Sequence, residues 1–154
     1  METRWPELWA LAARRFTLGP SSLHGPDHWQ RVERNALELA SHTPGVDVVT
    51  VRLFAVLHDS NRHNESYDPE HGARAANWAR ELNDSAQLFR LDAARLDLLC
   101  DAMTRHDKGQ VSADPTIGTC WDADRLDLPR VGIQPATKYM STAEGQRRVG
   151  TPRP

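Results

Sequence analysis

Apolar residues recur at helical spacing along most of the chain, and no pair of alternating segments flanks a tight hairpin turn. Trp5, Leu8, Trp9, Ala12 and Phe16 share one face and predict a first amphipathic helix, which Gly19-Pro20-Ser21-Ser22 separates from the next. Pro26 suits the first position of a second helix, with Trp29, Val32, Ala36 and Leu37 as its stripe and Thr43-Pro44-Gly45 after its end. Asp47 can cap a third segment from Val48 to about His58. Its start, Val48 to Val51, also has strand propensity, but Val48, Val51, Ala55 and His58 keep helical spacing, and helix is the better reading. A fourth helix starts at Asp68-Pro69, runs through Ala76 and Trp78, and is interrupted at Asn83-Asp84-Ser85. A fifth spans about Gln87 to His106, with Leu96, Leu99, Met103 and His106 in line. Asp114-Pro115 opens a sixth that ends near Leu128-Pro129. Recurrent Gly and Pro beyond that point predict a loop-like C-terminal tail. The expectation is one all-α domain of about six helices over residues 1–132, with 133–154 as loop and tail.

Composition narrows the function classes. A chain of 154 residues with 39% hydrophobic and 26% charged positions is an ordinary single globule. Its net charge of −2 argues against binding a nucleic-acid polymer through bulk electrostatics. The longest apolar run, Leu8 to Ala13, is far short of the ~20 residues of a membrane span, and the first residues lack a signal-peptide layout. A cytoplasmic protein with no membrane partner is expected. Cys100 and Cys120 form no CxxC pair, which excludes disulfide scaffolds and zinc ribbons.

The informative residues are polar ones at positions where a core-facing stripe expects apolar ones. Val51, Phe54 and Ala55 surround the azimuth of His58, so that imidazole points inward, and Asp59 follows at the helix end. On the sixth helix, Ile117, Cys120, Trp121 and Leu128 cluster about the azimuth of Asp124, while Asp122 points to nearly the opposite face. A carboxylate within an apolar stripe must pair, hydrogen-bond or bind a metal. His28 lies in the first turn of its helix beside Trp29, His71 follows Asp68-Pro69, and His106 extends the Leu99/Met103 line. One inward histidine is usually a hydrogen-bonded core residue. Three helices that each offer a nitrogen or oxygen ligand from an inward position match the way a bundle builds a metal site.

At these positions the sequence resembles the HD-domain superfamily of metal-dependent phosphohydrolases, whose signature is H…HD…D on a helical core. The matching segments are His24-Gly-Pro-Asp-His28-Trp-Gln-Arg31-Val32, then Phe54-Ala-Val-Leu-His58-Asp59, then Trp121-Asp-Ala-Asp124-Arg-Leu-Asp-Leu128, within a core of about residues 20–132. The resemblance implies a compact HD-domain bundle with His28, His58, Asp59 and Asp124 as metal ligands. It also implies His71 and His106 as candidates either for a second metal or for phosphate contact.

A mixed His/carboxylate set suits a divalent transition metal such as Mn, Fe, Co, Ni or Zn better than Mg or Ca. Asp59 is the candidate that both ligates and orients the attacking water. Arg62 and Lys108 are candidate anion clamps, and His24 is expected at the mouth of the site. The first functional expectation is release of phosphate or pyrophosphate from a nucleotide or related small phosphate ester. The alternatives are an HD-type di-iron oxygenase, which would need both His71 and His106 as ligands, and a non-catalytic HD binding module.

Overall fold

The computed structural model describes residues 1–150. Among these residues there are seven α-helices and no strand: α1 (Trp5–Arg15), α2 (Pro26–Ala40), α3 (Val48–Leu57), α4 (His71–Ser85), α5 (Ala93–Arg105), α6 (Pro115–Arg125) and α7 (Ala143–Gly150). None of them is long and apolar enough to cross a membrane.

The most apolar helix is the central one. Thr50, Val51 and every residue from Leu53 to Leu57 are buried on α3, which packs against α1, α2, α5 and α6. A helix that is apolar nearly all round belongs in the middle of a bundle, so the strand propensity of Val48 to Val51 is overridden. Asp47 caps α3 by accepting from the Thr50 backbone N–H. On α2 the buried stripe is Trp29, Val32, Ala36 and Leu39. Leu37, expected in that stripe, is 39% exposed, because the spacing that continues from Val32 and Ala36 reaches Leu39.

Helix boundaries shift by a few residues where side chains, rather than helical spacing, decide them. Helix α4 begins at His71, and α5 begins only after Asp92, whose carboxylate accepts from the Arg95 N–H. The Asn83 side chain brackets Leu91 with two backbone hydrogen bonds and holds the intervening loop out of the helix. Gly72 lets α4 lie close against α5, since a methyl group there would run into the Met103 carbonyl. That approach brings His71 and His106 together.

The C-terminal region departs from the expected loop and tail. A 3-10 turn at Leu128–Val131 follows α6, a second occupies Thr137–Tyr139, and α7 follows. Thr142 supplies the cap, its Oγ1 accepting from the Gly145 N–H at 2.9 Å, and Glu144 reaches forward to Arg147 and Arg148. Residues 151–154 of the expected tail lie outside the described residues.

Candidate metal centre

Four elements converge at the end of α3. His58 is the C-cap of that helix and fully buried, and Asp59 follows it. The first turn of α2 supplies His28, the last turn of α6 supplies Asp124, and α4 and the end of α5 supply His71 and His106. His28 Nε2 lies 3.2 Å from Asp59 Oδ2, 3.1 Å from Asp124 Oδ1 and 3.2 Å from His58 Nε2. His58 Nε2 is 3.3 Å from each of the same two oxygens. The other oxygen of Asp59, Oδ1, faces the second histidine pair, 3.0 Å from His71 Nε2 and 3.4 Å from His106 Nε2. Those two nitrogens are 2.9 Å apart. Asp59 thus offers one oxygen to each of two ligand groups, His28/His58/Asp59/Asp124 and Asp59/His71/His106.

The tautomers are set from outside the cluster. His28 Nδ1 meets Asp127 Oδ2 at 2.7 Å, and Arg31 grips the same carboxylate. His58 Nδ1 faces the carbonyls of Phe54 and Ala55, His71 Nδ1 that of Asp68, and His106 Nδ1 that of Met103. Carbonyl and carboxylate oxygens only accept, so each Nδ1 carries its proton and donates. All four Nε2 lone pairs then point inward, in two pairs that face each other across about 3 Å. Neutral lone pairs at that separation repel, and a cation between them removes the repulsion. Ligands ~2.1 Å from a common ion are themselves about 3.0–3.4 Å apart at cis-octahedral or tetrahedral positions. The separations above, 2.9–3.4 Å, are close to that spacing in both groups. In addition, Asp124 Oδ1 is buried with no hydrogen-bond partner among the described residues. The residues present fit a divalent cation.

The electrostatics agree. Burial alone would push the His28 pKa down, but the surrounding carboxylates of Asp124, Asp127 and Asp59 outweigh it and raise it to about 9. Burial likewise opposes charge on His58, and the fields of Asp59 and Asp124 raise it to about 10. Asp59 and Asp124 are held well below the ordinary carboxylate range against the effect of burial, chiefly by His58. Two anionic carboxylates enclosed with histidines demand positive charge, whether protons or a metal supply it.

The cluster forms the floor of a cavity of about 410 Å³. Asp59, Asp124, His71 and His106 line it, and Asp124 reaches it with a side chain 15% exposed. His24 stands at the cavity wall with its Nε2 on the Glu65 carbonyl and its Nδ1 3.9 Å from Asp59 Oδ2. Arg62 also lines it. Its Nη1 donates to the Asn64 and Ser66 carbonyls, and its Nε lies 3.8 Å from Asp59 Oδ1. Lys108 is not among the lining residues. Its Nζ is drawn outward to the Pro69 carbonyl and Asp107. Leu128, Val131, Ile133 and Pro135 make the far wall apolar.

Two contributors escape a reading of the sequence. Asp127 orients His28, and its only sequence signal is a carboxylate one turn beyond Asp124. Arg125 is a buried cavity-lining guanidinium that looks, in sequence, like a surface charge in the last turn of a helix.

The chain superimposes on a predicted HD superfamily hydrolase from an uncultured Thermotogales bacterium with a TM-score of 0.73 and 24% sequence identity, over 96% of this chain and 84% of the other. No family model and no curated protein matches the chain. The molecule has the HD-domain fold, and at its centre is a buried His/Asp cluster that could hold a metal ion.

Proposed function

We propose that this protein is a metal-dependent phosphohydrolase that releases phosphate or pyrophosphate from a nucleotide or related small phosphate ester. The observation that carries the reading is the buried His28/His58/Asp59/Asp124 set, with its lone pairs turned inward and open on one side to the 410 Å³ cavity. A bound Mn, Fe, Co, Ni or Zn ion would supply Lewis acidity, acidifying a water and neutralising charge on the phosphoryl group. The chain's own groups then have distinct roles. Asp59 would hold the ion through Oδ2, and with no second ion in the Asp59/His71/His106 group its Oδ1 would orient the attacking water. Arg62, fixed by two carbonyls, would turn to a phosphoryl oxygen its Nε–H, which has no hydrogen-bond partner among the described residues. His24 donates from Nε2 to Glu65, so its Nδ1 is a buried acceptor for a proton from water or a substrate hydroxyl, and burial keeps it neutral by lowering its pKa. Phosphate release should vanish on chelation and return with Mn, Co or Ni. Turnover that survives complete demetallation would overturn the reading.

The Asp59/His71/His106 group supports a second reading. His71 and His106 cannot donate to a phosphate from Nε2 while neutral, because both Nδ1 protons are already committed, so a second cation is the better fit than a phosphate contact. A carboxylate between two ligand groups also suits an HD-type di-iron oxygenase. Iron at two equivalents with a mixed-valent resonance, and oxygen consumption without phosphate release, would favour that alternative.

A further inference from the structure

Arg125 shares with Arg62 a guanidinium bonded to backbone carbonyls, and it is the more deeply buried of the two. Arg31, Arg52, Arg74 and Arg95 each donate to a carboxylate, as guanidinium groups on a protein surface commonly do. Arg125 is 7% exposed, and its bonds go to backbone: Nη1 donates to the carbonyls of Gln110 and Tyr139. Its Nη2 is buried without any hydrogen-bond partner among the described residues, and the side chain lines the same cavity as Asp59 and Asp124. A guanidinium remains charged at any physiological pH. Enclosing one with a free N–H group is costly unless an anion arrives to meet it. Nη1, tied to two carbonyls, fixes the plane of the group beforehand, so an oxygen reaching Nη2 meets a donor already in place.

We propose that Arg125 is a substrate-binding residue whose free Nη2 takes an oxygen of the phosphoryl group presented to the His/Asp cluster. The proposal rests on the phosphohydrolase reading for the identity of the anion and on this geometry for the site. It assigns the cavity two cationic walls, Arg62 beside Asp59 and Arg125 beside Asp124, with the anionic group held between them.

Inorganic phosphate is the probe, titrated calorimetrically into manganese-loaded protein. Arg125→Gln should weaken phosphate binding by about tenfold or more, the usual scale for a lost charge-assisted hydrogen bond. Arg125→Lys, which keeps the charge but not the fork, should fall between. Metal stoichiometry should not change in either variant. Because Arg125 also anchors Gln110 and Tyr139, a measurement on the unaltered protein accompanies these. In a nitrogen-15 NMR titration of zinc-loaded wild-type protein, phosphate should shift the Arg125 guanidinium resonances. No phosphate binding by the wild type, an unchanged dissociation constant in Arg125→Gln, or no shift of the Arg125 resonances would each overturn the proposal. If no phosphate ester is turned over and yet phosphate binding depends on Arg125, the hydrolase reading fails and the anion site stands. If esters are hydrolysed and Arg125→Gln leaves both phosphate affinity and kcat/KM unchanged, the hydrolase reading stands and the anion site fails.

Discussion

Asp122 and Asp124 are separated by one residue on α6, both are largely enclosed, and the structure gives them opposite tasks. Asp122 is fully buried away from the cavity, and its carboxylate accepts from Ser141 N at 2.7 Å, Thr142 N at 2.8 Å and Thr142 Oγ1 at 2.7 Å. It ties the C-terminal segment to the bundle. In Asp122→Asn one oxygen becomes an NH2 that points a donor at a backbone donor, in a place water does not reach. Charge-assisted hydrogen bonds contribute ~1.5–3 kcal/mol each, and burial raises the Asp122 pKa, which moderates the loss. A net destabilisation of about 3 kcal/mol is expected, or ~6–12 °C in Tm for a chain of this size. Metal content should not change. Asp124→Asn keeps the shape of the side chain and removes an anionic ligand. In the metal-free protein His58 can shed its proton in response, so the apo fold should lose no more than about 1 kcal/mol. In the wild type, an ion at 100 times its dissociation constant adds ~2.7 kcal/mol, or ~5–11 °C, and Asp124→Asn should forfeit that gain. The assay is metal stoichiometry and thermal unfolding of each variant with and without chelator. Asp122→Asn should melt low under both conditions and still gain from metal, whereas Asp124→Asn should melt like chelated wild type under both. An Asp122→Asn protein that loses its metal at wild-type apo stability, or an Asp124→Asn protein that keeps a full complement, would refute the assignment.

Two further outcomes follow from the same contacts. Asp127→Asn replaces the anionic acceptor of the His28 Nδ1 proton with a neutral amide that cannot accept from both His28 and Arg31, and metal affinity should fall by about 10–100-fold with little change in apo Tm, measured by competition with a chelating dye. The pKa values of His28 and His58 are raised in the folded, metal-free protein to about 9 and about 10, from 6.5 in an unperturbed histidine. The stability they lend the apo fold is therefore complete below pH 6.5 and lost as pH rises through 9 and 10. A metal must displace those protons, so its stabilising effect should grow with pH over that range, and a metal-induced Tm shift that shrinks with rising pH would contradict the proposed ligand set.

Much of this protein is legible from periodicity. Helical spacing alone identifies α1 to α6 and turns His58 and Asp124 inward, because a helix fixes azimuth at about 100° per residue whatever it packs against. The apolar stripe around Asp124 likewise separates it from Asp122 before any tertiary contact is known. What periodicity cannot carry is distance between elements. That Asp59 faces one histidine pair with each oxygen depends on how closely α4 approaches α5 at Gly72, a packing property of two helices joined by a loop. The helical character of α7 depends on Asp122, more than twenty residues before its end, which holds Ser141 and Thr142 where Thr142 can cap the helix. Arg125 reads in sequence as an exposed charge, and only the folding of residues 128–140 over the end of α6 encloses it. Local patterns specify the direction in which a side chain leaves its helix. The tertiary structure decides which groups it meets there, because the free energy of a buried charge is set by partners that are distant in sequence.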